Sequence, residues 1–454
     1  VSTVQHLLTY ASPEEWRDPA ARMLEAIKDI ADPALEAHAH MVMSHCYELL
    51  GEVDLAEAEA EQAVRIARDG EEHAMHALAL FNFAAFYQSV PKFDSCVKRL
   101  DEVDHLVEQY GLRRYLLPAR FLRALVTALE GAIEDANAMI AAVEQVPAEG
   151  YDAWFRATVR SLTHLFAGEY ADALAVLDPA AVGVAAPNDP ERVIDRAMQQ
   201  ADAHVWMGDI ERARHAVDIG EAAVARNADT YWHGWLAMVA MRVEADAAVQ
   251  ATASRRLDLI ELSKSRADAI VATWKAAVAN RRTLLPLERA YSAALDAELA
   301  RLTGEDVINC AHVAAAAFDQ IEMPYYATYF RWREAEALLA EGRVPAATDL
   351  LRHARGDTRS HGFAGLDAAV TQLARTHQLR LGVGRTTIDG DEPLSARELE
   401  VLHLMVEGRT NPEIAGALFI TRRTAAAHVS SIMRKLGSTS RVEAVSEAHR
   451  RGVA

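Results

Sequence analysis

The chain has 454 residues, 51% of them hydrophobic and 25% charged, with a net charge of -19. That length and apolar content suffice for a large buried core and more than one domain. The acidity excludes nucleic-acid binding by the chain as a whole, and the absence of an uncharged apolar run near the roughly 18 residues of a membrane helix excludes a spanning segment of that kind.

At the N-terminus Val1 stands where an initiator methionine would, as in a fragment or a chain with an unusual start codon, and no basic leader precedes an apolar stretch. The expected compartment is the cytoplasm. Cys46, Cys96 and Cys310 lie far apart without a CxxC pair. They read as small buried residues of a reducing compartment, with neither a disulfide framework nor a zinc knuckle.

From residue 1 to about 381 one spacing recurs: a glycine, an apolar residue two positions on and a small residue five positions on, in text of helical period. It appears as Gly51/Val53/Ala56, Gly131/Ile133/Ala136, Gly168/Tyr170/Ala173, Gly208/Ile210/Ala213 and Gly342/Val344/Ala347, with Pro91/Phe93/Cys96 as a variant. With the Pro91 variant counted in chain order, intervals of 40, 40, 37 and 40 residues separate the first five copies, from Gly51 to Gly208. A period near 40 corresponds to one unit of two helices. Glycine ends the first helix in a left-handed turn, the apolar residue plugs that turn, and alanine lets the second helix approach closely. Between 214 and 341 the spacing degenerates, although helical periodicity continues. In its Gly-x-apolar-x-x-Ala turn the segment resembles tetratricopeptide-like repeats, which implies an all-α solenoid with a concave surface for a protein or small-molecule effector.

Within this segment His38, His45, His73 and His76 fall at helical spacings that admit a metal site, but no acidic ligand stands in a fixed motif; solvated or core histidines are the default. The aromatic runs YWHGW (231–235) and PYYATYFRW (324–332) read either as the lining of a ligand groove or as repeat core. HExxH, GxSxG, EF-hand and GxxxxGK[ST] patterns are absent, so neither catalysis nor a cofactor is expected.

Residues 382–393, GVGRTTIDGDEP, have no apolar period and read as a linker with a reach of roughly 20 Å. From residue 391 on, nine basic residues face eight acidic ones, a balance of +1 that leaves -20 for residues 1–390. Only this tail is electrostatically compatible with DNA. It divides into four short helices by its caps: Ser395 with Glu398, Thr410 with Glu413 and Ser440 with Glu443 make capping boxes, Thr421 caps the third helix, and Gly408 and Gly437 stop helices. The second and third helices, a few residues apart, form a helix-turn-helix.

The blocks LSARELEVL, EGRTNPEIAGALFIT, TAAAHVSSIMRKLG and SRVEAV, in that order, resemble the LuxR-type (GerE-type) DNA-binding domain over residues 394–454. With the repeats ahead of it, the chain is similar to the C-terminal half of large MalT-like regulators, without their ATP-binding head. The resemblance implies a four-helix domain that binds double-stranded promoter DNA as a homodimer and acts with RNA polymerase. It implies DNA contacts from Thr410, Asn411, Thr421, Arg422, Arg423, Thr424, Ala426, Ala427, His428, Ser430, Ser431, Arg434 and Lys435 on or beside the third helix. It also implies dimerisation through the fourth helix, where Val442, Val445 and Ala448 make an apolar stripe whose alternative is packing within the domain.

A helical wheel places Ala425, Val429, Ile432 and Leu436 on an inner face and Arg423, Ala427, Ser430 and Arg434 opposite, flanked by Ala426 and Ser431. His428 sits at the margin. Ala426 and Pro412 stand where the family often has basic residues, which moves the expected basic contacts to Arg422 and Arg423 in the first turn and to Arg434 and Lys435 in the last. The leading expectation is a transcriptional regulator whose acidic repeats shield the DNA-binding helix until a ligand or partner rearranges them. The alternative is an interaction scaffold with a vestigial DNA-binding domain.

Overall fold

A computed structural model describes residues 32–178, 189–225, 230–279, 281, 283–381, 394, 396–418, 420–436, 438 and 440–450, except for the side chains of residues 396, 434, 449 and 450. The chain forms two compact units that divide between Leu379 and Arg380. All regular structure among the described residues is helical. The 382–393 linker lies outside them.

The first unit is a tetratricopeptide-like array of helical hairpins. In chain order these are α1 (Pro33–Leu49) with α2 (Val53–Asp69), α3 (His73–Ser89) with α4 (Phe93–Tyr110), α5 (Leu116–Leu129) with α6 (Ile133–Ala142), and α7 (Gly150–Ala167) with α8 (Tyr170–Val176). There follow α9 (Pro190–Trp206) with α10 (Ile210–Val224), α11 (Thr230–Ala253) with α12 (Leu257–Ala277), α13 (Pro286–Thr303) with α14 (Val307–Gln320), α15 (Pro324–Ala340) with α16 (Val344–His361), and a closing helix α17 (Ala364–Thr376). The two helices of each hairpin pack together, and from α1 through α13 the first helices of successive hairpins also meet.

The repeat signature works as its chemistry requires. Gly51, Gly131, Gly168, Gly208 and Gly342 have φ between 75° and 85°. Each ends a helix where a Cβ would collide with the following carbonyl. Ala56, Ala136, Ala173, Ala213 and Ala347 are fully buried, as is Cys96, so the second helix lies against the first at small-residue distance. Of the plugging residues Ile133 is buried, Val53, Tyr170 and Ile210 are half-buried, and Val344 is exposed. Gly342 has open space around a Cβ position, whereas Gly356, inside α16, combines open space with an ordinary backbone. Gly342→Ala is therefore expected to destabilise the unit by about 1 kcal/mol through backbone strain alone. Gly356→Ala is expected to stabilise it by up to about 1 kcal/mol. Denaturant midpoints at unchanged m-value check both signs.

Where the spacing degenerates, Arg255 and Glu322 take the left-handed position with φ of 57° and 58°. The aromatic runs belong to the core: Trp235, Tyr325, Tyr326, Tyr329 and Phe330 are buried, and Tyr231, Trp232 and Trp332 pack against the same cluster. Hairpin packing consumes the surfaces of the five buried rings, as repeat core requires, while Tyr231, Trp232 and Trp332 stay half-buried. The four histidines do not gather into a site either. His45 pairs with Glu48 at 3.2 Å and His73 stacks on Tyr110 at 3.6 Å. Among the described residues only His164, Glu169 and Asp172 bring three ligand-type side chains together. All three cysteines are free, and burial pushes the Cys46 thiol up to about 11 and that of Cys96 to about 12, as inert core residues require. No helix among the described residues is long and apolar enough to cross a membrane.

Candidate nucleic-acid interface

The second unit contains α18 (Ala396–Val406), α19 (Asn411–Leu418), α20 (Arg422–Lys435) and α21 (Arg441–Arg450). Gly408, with φ of 80°, stops α18. At the start of α19 the Thr410 N–H and hydroxyl donate to the Glu413 carboxylate at 2.7 and 2.8 Å, and these bonds hold its carboxyl below the usual range. The Thr410 hydroxyl thus turns to the Glu413 side chain, making the carboxylate arm of the expected box. Thr421 accepts the Thr424 N–H at 2.9 Å and Ser440 accepts the Glu443 N–H at 3.2 Å, which fixes where α20 and α21 begin. Ser395 and Gly437 lie outside the described residues.

These caps set the rotation of α20. Ala425, Val429, Ile432 and Leu436 are buried together with Val401, Leu402 and Met405 of α18 and Ile414 and Ala415 of α19. Apolar residues at i, i+4, i+7 and i+11 keep a single stripe on that core. The opposite side exposes Arg422, Arg423, Thr424, Ala427 and Ser430, while Thr421, Ala426 and His428 are half-buried. The side chain of Arg434 lies outside the described residues.

Four of the site residues expected from sequence are committed elsewhere. Ser431 donates to the Glu398 carboxylate at 2.7 Å, and Lys435 pairs with the same group at 2.8 Å. Glu398, on α18, is 4% exposed and the Lys435 side chain 12%. The last turn of α20 is therefore bound to α18 through Lys435, and its ammonium is not offered outward. Asn411 accepts a hydrogen bond from Arg441 at 3.0 Å, and Arg441 also donates to the Arg409 carbonyl, so Asn411 joins α19 to α21. Ala448 is fully buried in the domain core beside Ala444, which removes it from any dimer stripe. Val445 packs partly against that core, and Val442 is 76% exposed. Glu398 and Arg441 were missing from the sequence-derived site because a capping residue and a surface arginine look the same in sequence whether or not a distant helix uses them.

The geometry is a helix-turn-helix whose second helix presents two adjacent arginines at its N-terminus and a shallow face of small side chains. Backbone N–H groups at such a terminus favour phosphate, and small side chains let the helix sit deep in a groove.

Residues 392–448 match the family described as bacterial regulatory proteins, luxR family (GerE). The spore germination protein GerE of Bacillus subtilis (strain 168) is 46% identical over 59 residues, which are 13% of this chain and 80% of GerE. The chain belongs to the luxR family. The transcriptional regulatory protein LiaR of the same organism is 48% identical to this luxR-family chain over 59 residues, 13% of this chain and 28% of LiaR. The Mycobacterium bovis protein Mb0914c, which carries an HTH-type regulator name, is 33% identical over 122 residues, 26% of this chain and 14% of that protein. The luxR-family chain thus spans about a quarter of LiaR and a seventh of Mb0914c. Among solved structures, the TPR domain of P58(IPK) aligns with 76% of this chain and 100% of its own at 13% identity and a TM-score of 0.21.

Proposed function

We propose that the protein is a transcriptional regulator that reads promoter DNA through α20, as a homodimer acting with RNA polymerase, under the control of an effector bound by the hairpin array. One observation carries the DNA reading. The inner face of α20 is closed against α18 and α19, and the outer face presents Arg422, Arg423, Ala427 and Ser430 to solvent, so the helix is supported on one side and available on the other. Exposure of Val442 on α21 supports the dimer, which would place two such helices on one site. An acidic array ahead of a nearly neutral domain supports control by shielding. The proposal further places the protein in the cytoplasm, without catalysis or a bound cofactor.

Binding of genomic fragments by the full chain across a salt series tests this reading. The expected result is a steep fall in affinity with salt and a preference for particular fragments. Arg423→Ala is expected to weaken the preferred site by about 1 to 3 kcal/mol and to relax its sequence preference. Arg422→Ala is expected to lower all affinities alike and to flatten the salt slope by about one phosphate contact. A second reading, a scaffold with a vestigial DNA-binding domain, draws on the alanines at 426 and 427 and on the inward turn of Ser431 and Lys435. A flat salt slope with no preferred fragment would select it.

A further inference from the structure

In an array whose hairpins touch only their neighbours, distant repeats do not meet. Here Arg281 donates to the Glu48 carbonyl across 233 residues at 2.9 Å. The contacts of this kind follow a regular offset. Gly51, the turn of the first described hairpin, lies against Arg281 and the Thr283 carbonyl, just after the sixth hairpin. Gly131, the turn of the third, lies against Pro324 and His361, the two ends of the eighth; a Cβ there would come within 2.4 Å of the imidazole. Gly168, the turn of the fourth, meets Ala364 and Gly365 at the start of α17, and its Cβ would come within 2.5 Å of the Gly365 nitrogen. Each seat is taken by chain about five hairpins further on. The same glycines that cap helices leave room for the next turn of the coil, whereas Gly208, Gly304 and Gly342 have nothing within 4 Å.

The seam at the end of the array is also lined by aromatic rings. Phe166 stacks on Tyr325 at 4.1 Å, and Phe363 meets the two rings edge-on at 6.0 and 5.1 Å. Phe363 is fully buried although it belongs to the last connection of the array, so its burial depends on the fourth and eighth hairpins. A Cβ on Gly365 would come within 2.1 Å of the Tyr170 hydroxyl.

We propose that this seam is a latch: closed, it fixes α16 and α17 on the turns of the third and fourth hairpins, and opened, it frees the helix from which the chain continues into the DNA-binding unit. The array's effector acts by favouring one of these two states, because packed interfaces switch between discrete arrangements and a ligand shifts them only by binding one better. The inference rests on the DNA-binding reading above for its output.

The full chain carrying Gly365→Ala tests it. Gly365 has no positive φ, so alanine suits its helix and obstructs only the seam. Gly356→Ala, in α16 with open space, is the control. Hydrogen exchange in α17 and at the Gly168 turn is expected to rise roughly tenfold in Gly365→Ala and to stay unchanged in the control. Affinity for a fragment selected by the wild type is expected to shift by about fivefold or more. If circular dichroism shows that Gly365→Ala does not fold, Phe363→Leu, which trims the shared aromatic cluster, carries the same comparison. Unchanged exchange, or raised exchange with unchanged DNA affinity, overturns the latch. A wild type that selects no fragment overturns the DNA reading instead, and the latch's output with it.

Discussion

Glu398→Ala is expected to release the C-terminal half of α20 and to abolish site-specific DNA binding, although Glu398 faces away from the proposed groove. The substitution removes the carboxylate that receives Ser431 at 2.7 Å and Lys435 at 2.8 Å, and leaves a nearly buried ammonium without that partner. Removing one member of a buried pair costs about 3 to 5 kcal/mol. The affected core is small, so a loss of that size is a large share of its stability. In the full chain, hydrogen exchange is expected to accelerate across α18 and α20 while the hairpin array keeps its protection. Glu398→Gln retains acceptors for both partners and is expected to lose less. Lys435→Met, which removes the charge and keeps the stem, leaves the Glu398 carboxylate still receiving the Ser431 hydroxyl and is expected to be milder than Glu398→Ala, which takes the acceptor from both partners at once. Equal losses in Glu398→Ala and Lys435→Met, or an unchanged α20 in either, would contradict a structural role for this pair.

The same pair shows where sequence reading stops. Helix-wheel geometry placed the inner stripe of α20 correctly, because four apolar residues repeat at helical spacing and only one face can bury them. Ser431 flanks the outer face and Lys435 lies between the two faces, where rotation alone does not distinguish solvent from a neighbouring helix; the decision belongs to Glu398, 37 residues from Lys435. Ala448 was ambiguous for a related reason, since alanine is compatible with a domain core and with a dimer seam, and only the position of the other three helices settles it. The hairpin turns were legible because a left-handed helix end favours glycine so strongly. At Arg255 and Glu322 the same backbone closes its turn by hydrogen bonds from the Arg256 N–H to the Ala251 carbonyl at 2.9 Å and from the Met323 N–H to the Phe318 carbonyl at 3.0 Å, and nothing in those residue types announces it. The contacts five hairpins apart were not legible at all: periodicity reports the local unit, whereas the pitch of the coil emerges from small rotations summed over many units.

Asp195→Asn is expected to stabilise the hairpin array at neutral and alkaline pH, against the usual trend that substitutions destabilise. Asp195 lies on α9 and is 5% exposed. Gln199 donates to it at 2.8 Å, and none of the ion pairs among the described residues includes it. Burial pushes its carboxyl up to about 7, against the opposing effect of hydrogen bonds from Gln199 and Thr158. An unfolded aspartate titrates near 3.9. Between those two values the native state holds a proton that the unfolded chain has released, so stability falls as pH rises through this window and stays low above it. Three units correspond to a penalty of about 4 kcal/mol at most at pH 8. Asparagine keeps the hydrogen-bonding shape without the charge. Urea unfolding of the two proteins should therefore give similar stabilities near pH 4 and a gap that widens to a plateau above pH 7. Curves that stay parallel from pH 4 to 8 would show that Asp195 has a charge partner or solvent access in solution, and the raised titration would have to be abandoned.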